Sequence, residues 1–386
     1  MIHSVRPFIS IFESVPDHRQ AKGRRHSLVA VLAIVTLALI NQQNSIPQIA
    51  AWARGLNMEA RKRLPLRHYR VPSESTIRRV LRGLDVDALL REAQKWVEEV
   101  LTALYPTTNQ SGLAIDAKTL RGSGGDRDHP QALRLLGALV HELGMFLKTQ
   151  AIPSNTNELG LAPAFLEDLC LTGRVVTADA ILTHKKIARL IVERHGHYLL
   201  RVKANQPQLL KDLKDWFTDP DPRVQAENLV YRHVEKGHGR LVRYTLRTTE
   251  ELNRYLWEEW GWPGVGQVFC LERRCTNLRS GQTTTRVHYG ITSLSFQQAD
   301  PATLLNLWRQ HWHIENKGHW VLDVVFVEDR TRLRRGRGPE ALAVLRRLVV
   351  TLLRLFEQQG VTAARAALSA DIQRSMSLIG LPLEFR

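Results

Sequence analysis

Three apolar segments, 113–115, 132–140 and 145–151, stand close together with turn residues between some of them, and a regular alternation follows at once. The pattern predicts a helix over 163–171, a strand over 175–177, a helix over 184–195 and a strand over 198–202. Consecutive strands that lead into alternating helix and strand restrict the chain to an α/β fold: a mixed sheet flanked by helices.

The regions on either side read differently. Residues 27–90 are helical in pattern, punctuated by Pro47, Gly55, Pro65 and Pro72. Within them Ser73 and Thr76 can cap a helix that displays Arg78, Arg79 and Arg82 around Ile77 and Leu81. Such a helix can meet DNA, or it can simply carry solvated arginines. From 207 to 295 the alternation stops and strand-like segments dominate, at 241–247, 267–272 and 283–292. This predicts a β-rich insertion subdomain, in which Trp257, Trp260 and Trp262 beside many arginines form either a stacking surface or core. Helical pattern returns over 302–322 and 339–358. The expected division is an N-terminal helical domain over 1–95, an α/β core over 96–206 and 296–386, and the insertion over 207–295.

Charge and cysteine narrow the setting. A formal net charge of +16 over 386 residues is spread through every region, which suits a folded surface that meets a polyanion, nucleic acid first among them, or one kept soluble by its charge. Cys170, Cys270 and Cys275 are too few for a disulfide framework and lack the paired spacing of a zinc module, as a reducing cytoplasm would allow. The apolar run 28–40 is too short to cross a bilayer and is followed by polar residues and Pro47, so a buried helix and no membrane partner are expected.

Asp116 ends the apolar run 113–115, and Asp179 follows 175–178, so each carboxylate is expected at or just past the end of a buried strand. Aspartate disfavours strand interiors, and a reason is wanted: Asp179 can cap the next helix, Asp116 can pair with Lys118 or Arg121, or both can hold a cation. On a helix, His311, Glu315 and His319 recur every four residues and line one face, with Glu315 expected buried against the sheet among tryptophan and leucine. Burial of a carboxylate calls for a compensating metal or cation. Zinc would prefer the two histidines; magnesium or manganese would take the oxygens of Glu315, Asp116 and Asp179. Two divalent ions held by such carboxylates would support in-line displacement at phosphorus.

With these residues in view, the chain resembles the DDE transposases of bacterial insertion sequences, in the group that includes the H-repeat-associated proteins of Rhs elements. The resemblance covers nearly the whole chain. Its carriers include Phe12 to Arg19, Gly23 to Leu28, Leu113 to Ser123, Asn157-Glu158, Thr177-Ala178-Asp179-Ala180 and Lys203-Ala204-Asn205-Gln206-Pro207. Gly237-His238-Gly239-Arg240, His311 to Asn316, His319 to Val324, Phe326 and Glu328-Asp329 complete the series. It implies a ribonuclease-H-like core with a β insertion before the last catalytic helix, DNA cleavage and strand transfer, and Asp116, Asp179 and Glu315 as the triad on Mg2+ or Mn2+. It also implies DNA partners, both terminal inverted repeats and target DNA, a homodimer on paired ends, and a nucleoid-associated place in the cytoplasm. Lys203, Asn205, His238 and Arg240 match family motifs and can donate to phosphates, as can Arg332 and Arg335 in the basic run 330–337. The chain departs from the broader pattern at His311, where an arginine is usual, at Leu322, where a lysine is usual, at Ala117, and at Gly318, which should weaken a helix by about 1 kcal/mol relative to alanine. His311 can still contact a phosphate. The departures keep a second reading open, a transposase-derived DNA-binding protein that is catalytically silent; a metal-dependent nuclease without a joining step is a third.

Overall fold

The computed structural model describes residues 5–104, 111–125 and 130–381. Its strands, in chain order, are β1 (Gly112–Thr119), β2 (Arg134–Val140), β3 (Met145–Ile152), β4 (Val175–Ala178), β5 (His197–Val202), β6 (Leu229–Gly237), β7 (Arg240–Thr249), β8 (Gln267–Asn277) and β9 (Thr283–Thr292). The chain divides into two compact units, the first made of 1–108, 117–155 and 313–386, the second of 109–116 and 156–312.

The second unit holds the strand order β1-β4-β5-β9-β8-β7-β6. β1, β4 and β5 are parallel, with Ile115 opposite Ala178 and Ala178 opposite Leu200. From β5 onward every pairing is antiparallel. The sheet is therefore mixed and α/β in character, as its sequence pattern predicts. The helix Lys185–Glu193 supplies the crossover that parallel β4 and β5 require. Leu304, Leu305 and Leu307 of the helix Pro301–His311 seal one face of the sheet over Leu199, Val242, Tyr244, Leu246, Phe269 and Leu271. That helix starts sharply because Asp300 accepts from the Thr303 amide and Pro301 fills the first turn.

Two details depart from expectation. The helix expected over 163–171 is Glu158–Glu167, because the Asn157 side chain accepts from the Gly160 amide and starts it earlier, leaving Pro163 inside. The β-rich stretch also opens with a helix, Pro207–Thr218, whose Leu209, Leu213 and Phe217 are buried at four-residue spacing, and β9 pairs directly with β5.

In the first unit β2 and β3 form an antiparallel hairpin, and the helix Gly338–Phe356 packs on β3. The helix Leu28–Ile40 is apolar all round and almost wholly buried, capped by Ser27. By length and composition the segment Ala21–Ile40 could cross a membrane, but its α-helix is the expected Leu28–Ile40 and is enclosed by protein. The helix Glu74–Arg82 is capped by Ser73, buries Ile77, Val80 and Leu81, and leaves Arg79 and Arg82 exposed while Arg78 pairs with Glu74 at 2.7 Å.

Candidate active site

The register of β1 and β4 fixes the first two candidate carboxylates. Because Ile115 lies opposite Ala178 on parallel neighbours, the next residues, Asp116 and Asp179, stand side by side at the same level of the sheet. Asp179 is just past the end of β4, as expected; Asp116 lies within β1, which continues to Thr119. The carboxyl ends of parallel strands are where open α/β sheets gather polar groups.

Asp179 is held by cations. Lys203 Nζ lies 3.1 Å from its Oδ2 and Arg201 3.5 Å from its Oδ1. Burial raises the pKa of this carboxyl, but the Ala180 amide, Lys203 and Arg201 outweigh it and hold Asp179 below the usual carboxylate range. The Lys203-to-Gln206 motif braces the same loop: Asn205 donates to the Ala180 carbonyl at 2.7 Å and Gln206 to the Thr183 carbonyl at 2.9 Å. Lys203 and Asn205 thus have intramolecular partners as well as exposed surface. Sequence reading passed over Arg201, which also packs its guanidinium 5.8 Å from the Trp308 ring centre and donates to His288. Burial, then Arg201 and further nearby cations, pushes His288 down to about 4, so it is a neutral acceptor there.

The third element differs from its expected shape. The α-helix ends at His311, and after Trp312 the backbone widens into π turns over Ile314–His319 and Val321–Val325. A π turn closes on the fifth residue, yet Glu315 and His319 still meet on one side of the segment, as their four-residue spacing predicts. His311 Nδ1 meets Thr177 Oγ1 at 2.9 Å within the second unit, a partner that only the fold could reveal. In the first unit His319 Nδ1 lies 3.6 Å from Glu315 Oε2. Glu315 is half-exposed at 50%, not buried, because the tryptophans expected to enclose it, Trp312 and Trp320, face outward.

Gly318 has a packing role that offsets its poor helix propensity. A Cβ there would lie 3.0 Å from Leu139 and 3.0 Å from Phe146, so its absence lets the π-helical segment settle on the β2–β3 hairpin. Gly318→Leu is therefore expected to lower stability by about 1–3 kcal/mol through overpacking, read as a lower denaturant midpoint; an unchanged midpoint would refute this role.

Lys118 and Arg121, the cations that could have neutralised Asp116, are engaged elsewhere. Buried Lys118 lies 2.7 Å from Asp323 and 3.6 Å from Asp329, and Arg121 is 3.5 Å from Asp329. The basic run is also divided: Arg332 and Arg335 are exposed, Arg334 donates to the Gly122 carbonyl, and Arg337 pairs with Asp87 and Glu340. The run 330–337 is therefore not one exposed basic strip, since Arg337 is held by carboxylates. His238 and Arg240 are exposed at the β6–β7 turn, where His238 and Gly239 take φ of 50° and 71°, the left-handed pair that a two-residue hairpin needs.

A mixed α/β sheet with acidic residues abreast on neighbouring parallel strands defines a class of protein that keeps its polar chemistry at the sheet's carboxyl edge. The model described as the Transposase DDE domain matches residues 107–352, and the DDE_Tnp_1-associated model matches 9–97. The chain belongs to the DDE transposase family, as its motifs indicated. It is 27% identical to the protein YbfL of Escherichia coli K12 over 88% of each chain, and 26% identical to the H repeat-associated protein YhhI of the same strain, again over 88% of each. An uncharacterized protein in the dhlA 3′ region of Xanthobacter autotrophicus is 31% identical over 71% of this chain and 94% of its own. A solved piggyBac transposase synaptic complex with hairpin DNA aligns over 91% of this chain and 71% of that one, at 11% identity and a TM-score of 0.41.

Proposed function

We propose that this transposase cleaves DNA and joins the ends by in-line displacement, with Asp116, Asp179 and Glu315 as its catalytic carboxylates on a ribonuclease-H-like core. The observation that carries this reading is the β1–β4 register, which sets Asp116 and Asp179 abreast. Support for Glu315 comes from the first unit, where Lys118, two residues beyond Asp116 on β1, is anchored to Asp323 on the same π-helical run as Glu315. The proposed donors are the carboxylates of Asp116, Asp179 and Glu315, hard oxygen ligands that suit Mg2+ or Mn2+. Such an ion supplies an activated water or 3′ hydroxyl and stabilises the leaving oxygen.

The protein's own groups do the rest. Lys203, already at Asp179, is placed to shift to a phosphate when DNA arrives, and Asn205 keeps the Asp179 loop in position. Further DNA contacts in this reading are His238, Arg240, His311, Arg332 and Arg335, with Arg78 and Arg79 from the N-terminal helical domain 1–95. The catalytic core is 96–206 with 296–386, and 207–295 is its β-rich insertion. Two copies act on paired terminal repeats of nucleoid DNA in the cytoplasm. The cation pair on Asp179 favours the second reading, a silent DNA-binding descendant in which Lys203 permanently takes the place of an ion.

The test is incubation of the purified protein and Mg2+ with a duplex carrying the inverted repeats that flank its gene. Nicked ends and joined products are expected. Bound but intact duplex in both Mg2+ and Mn2+ would leave only the silent reading.

A further inference from the structure

Strands β6 to β9 form an antiparallel meander whose two faces are built for different neighbours. One face carries Tyr244, Leu246, Leu271 and Phe269 and is covered by the helix Pro301–His311. On the other face the cross-strand rows are Lys236, Leu241, Thr276 and Thr283; then Val234, Arg243, Arg274 and Thr285; then Arg232, Thr245, Glu272 and Val287. The helix Pro207–Thr218 reaches only the row after these, where Phe217 meets Arg247 and Tyr289. Beyond it Arg232, Val234, Lys236, Arg243, Arg274, Thr283, Thr285 and Val287 are exposed.

This face carries four cations and a single carboxylate, Glu272, which is occupied by Arg274 at 2.6 Å. Among the described residues Arg232, Lys236 and Arg243 have no ion pair. Arg243 and Arg274 stand directly opposite one another, an arrangement that costs a sheet a few tenths to about 1 kcal/mol. A sheet face that places like charges opposite each other, with threonine hydroxyls at its margin, suits a ligand that neutralises several cations at once. Four strands make it about 14 Å broad, which fits an extended polyphosphate and not a small anion in a pocket. We infer that this face is a track for the phosphate backbone of duplex DNA, held by charge and hydroxyl contacts without reading of base sequence.

The inference rests on the reading that the chain acts on DNA, and one titration separates the two. The full chain is titrated by fluorescence anisotropy, in the presence of a chelator, against a labelled duplex unrelated to any terminal repeat, at several salt concentrations. Arg243→Thr with Arg274→Thr keeps strand propensity and should weaken binding about tenfold at low salt, with the slope of log affinity against log salt shallower by about two. Lys211→Thr with Arg254→Thr removes the same charge from exposed helices elsewhere in the unit and should behave nearly as the parent. Equal behaviour of the two double variants overturns the track while leaving DNA binding intact. Failure of the parent to bind duplex overturns the track and the DNA reading together. Should the first double variant not fold, Arg243→Thr and Arg232→Thr singly carry the same test, each with a slope change of about one.

Discussion

Asp116→Asn is expected to abolish DNA cleavage, by on the order of 10³-fold or more, with the unfolding midpoint and duplex affinity little changed. The amide has the shape of the carboxylate but not its charge. Disturbing a group behind a metal ligand already costs roughly 10–100-fold, and in the proposed mechanism a ligand charge itself is removed. The residue can be altered without harm to the fold because it is only half-buried and because the core contacts of β1 are made by Leu113, Ala114 and Ile115. The assay is conversion of supercoiled plasmid carrying the terminal repeats to nicked and joined forms, beside calorimetric titration with Mn2+. Retained joining by the variant would sink the assigned role; lost joining with undiminished Mn2+ binding would move Asp116 off the metal.

The part of this site that was legible in the sequence is the part set by local pattern. Apolar runs ending in aspartate gave both strand positions, and pairing of adjacent parallel strands then brought Asp116 beside Asp179. What failed was the assumption of a constant helical period. Nothing in the spacing of His311, Glu315 and His319 announces the π turns after Trp312, although Glu315 and His319 still meet across them. The burial expected for Glu315 failed with it, since the direction of Trp312 and Trp320 depends on the same backbone. Long-range pairs were equally hidden. Lys118 reaches Asp323 across more than two hundred residues, and nothing in the motif Lys203 to Gln206 tells that Asn205 and Gln206 brace the Asp179 loop. Glu328 is a similar case: a motif residue whose purpose is visible only in its surroundings.

Those surroundings make Glu328→Leu the substitution expected to cost most stability, about 3–5 kcal/mol. The Glu328 side chain is fully buried, 3.0 Å from Arg347 and 3.9 Å from Arg346, both on the helix Gly338–Phe356. Burial pushes Arg346 down to about 10, which leaves it cationic at neutral pH, and its other partners are the Asn44 carbonyl and the Thr331 hydroxyl, both neutral. Removing Glu328 therefore strands two guanidinium charges in the interior, where an uncompensated ion is far more costly than the pair was favourable. The backbone adds to this. Val327, the preceding residue, holds φ at 54°, a left-handed conformation that costs a β-branched residue about 1–3 kcal/mol and persists only where neighbours impose it. Phe326 under Arg365 on one side and Glu328 under Arg347 on the other are those neighbours. The diagnostic comparison is the double variant Glu328→Leu with Arg347→Met, which removes a stranded charge and should recover part of the loss in denaturant unfolding. Simple additivity of the two substitutions would show that Glu328 acts through packing alone.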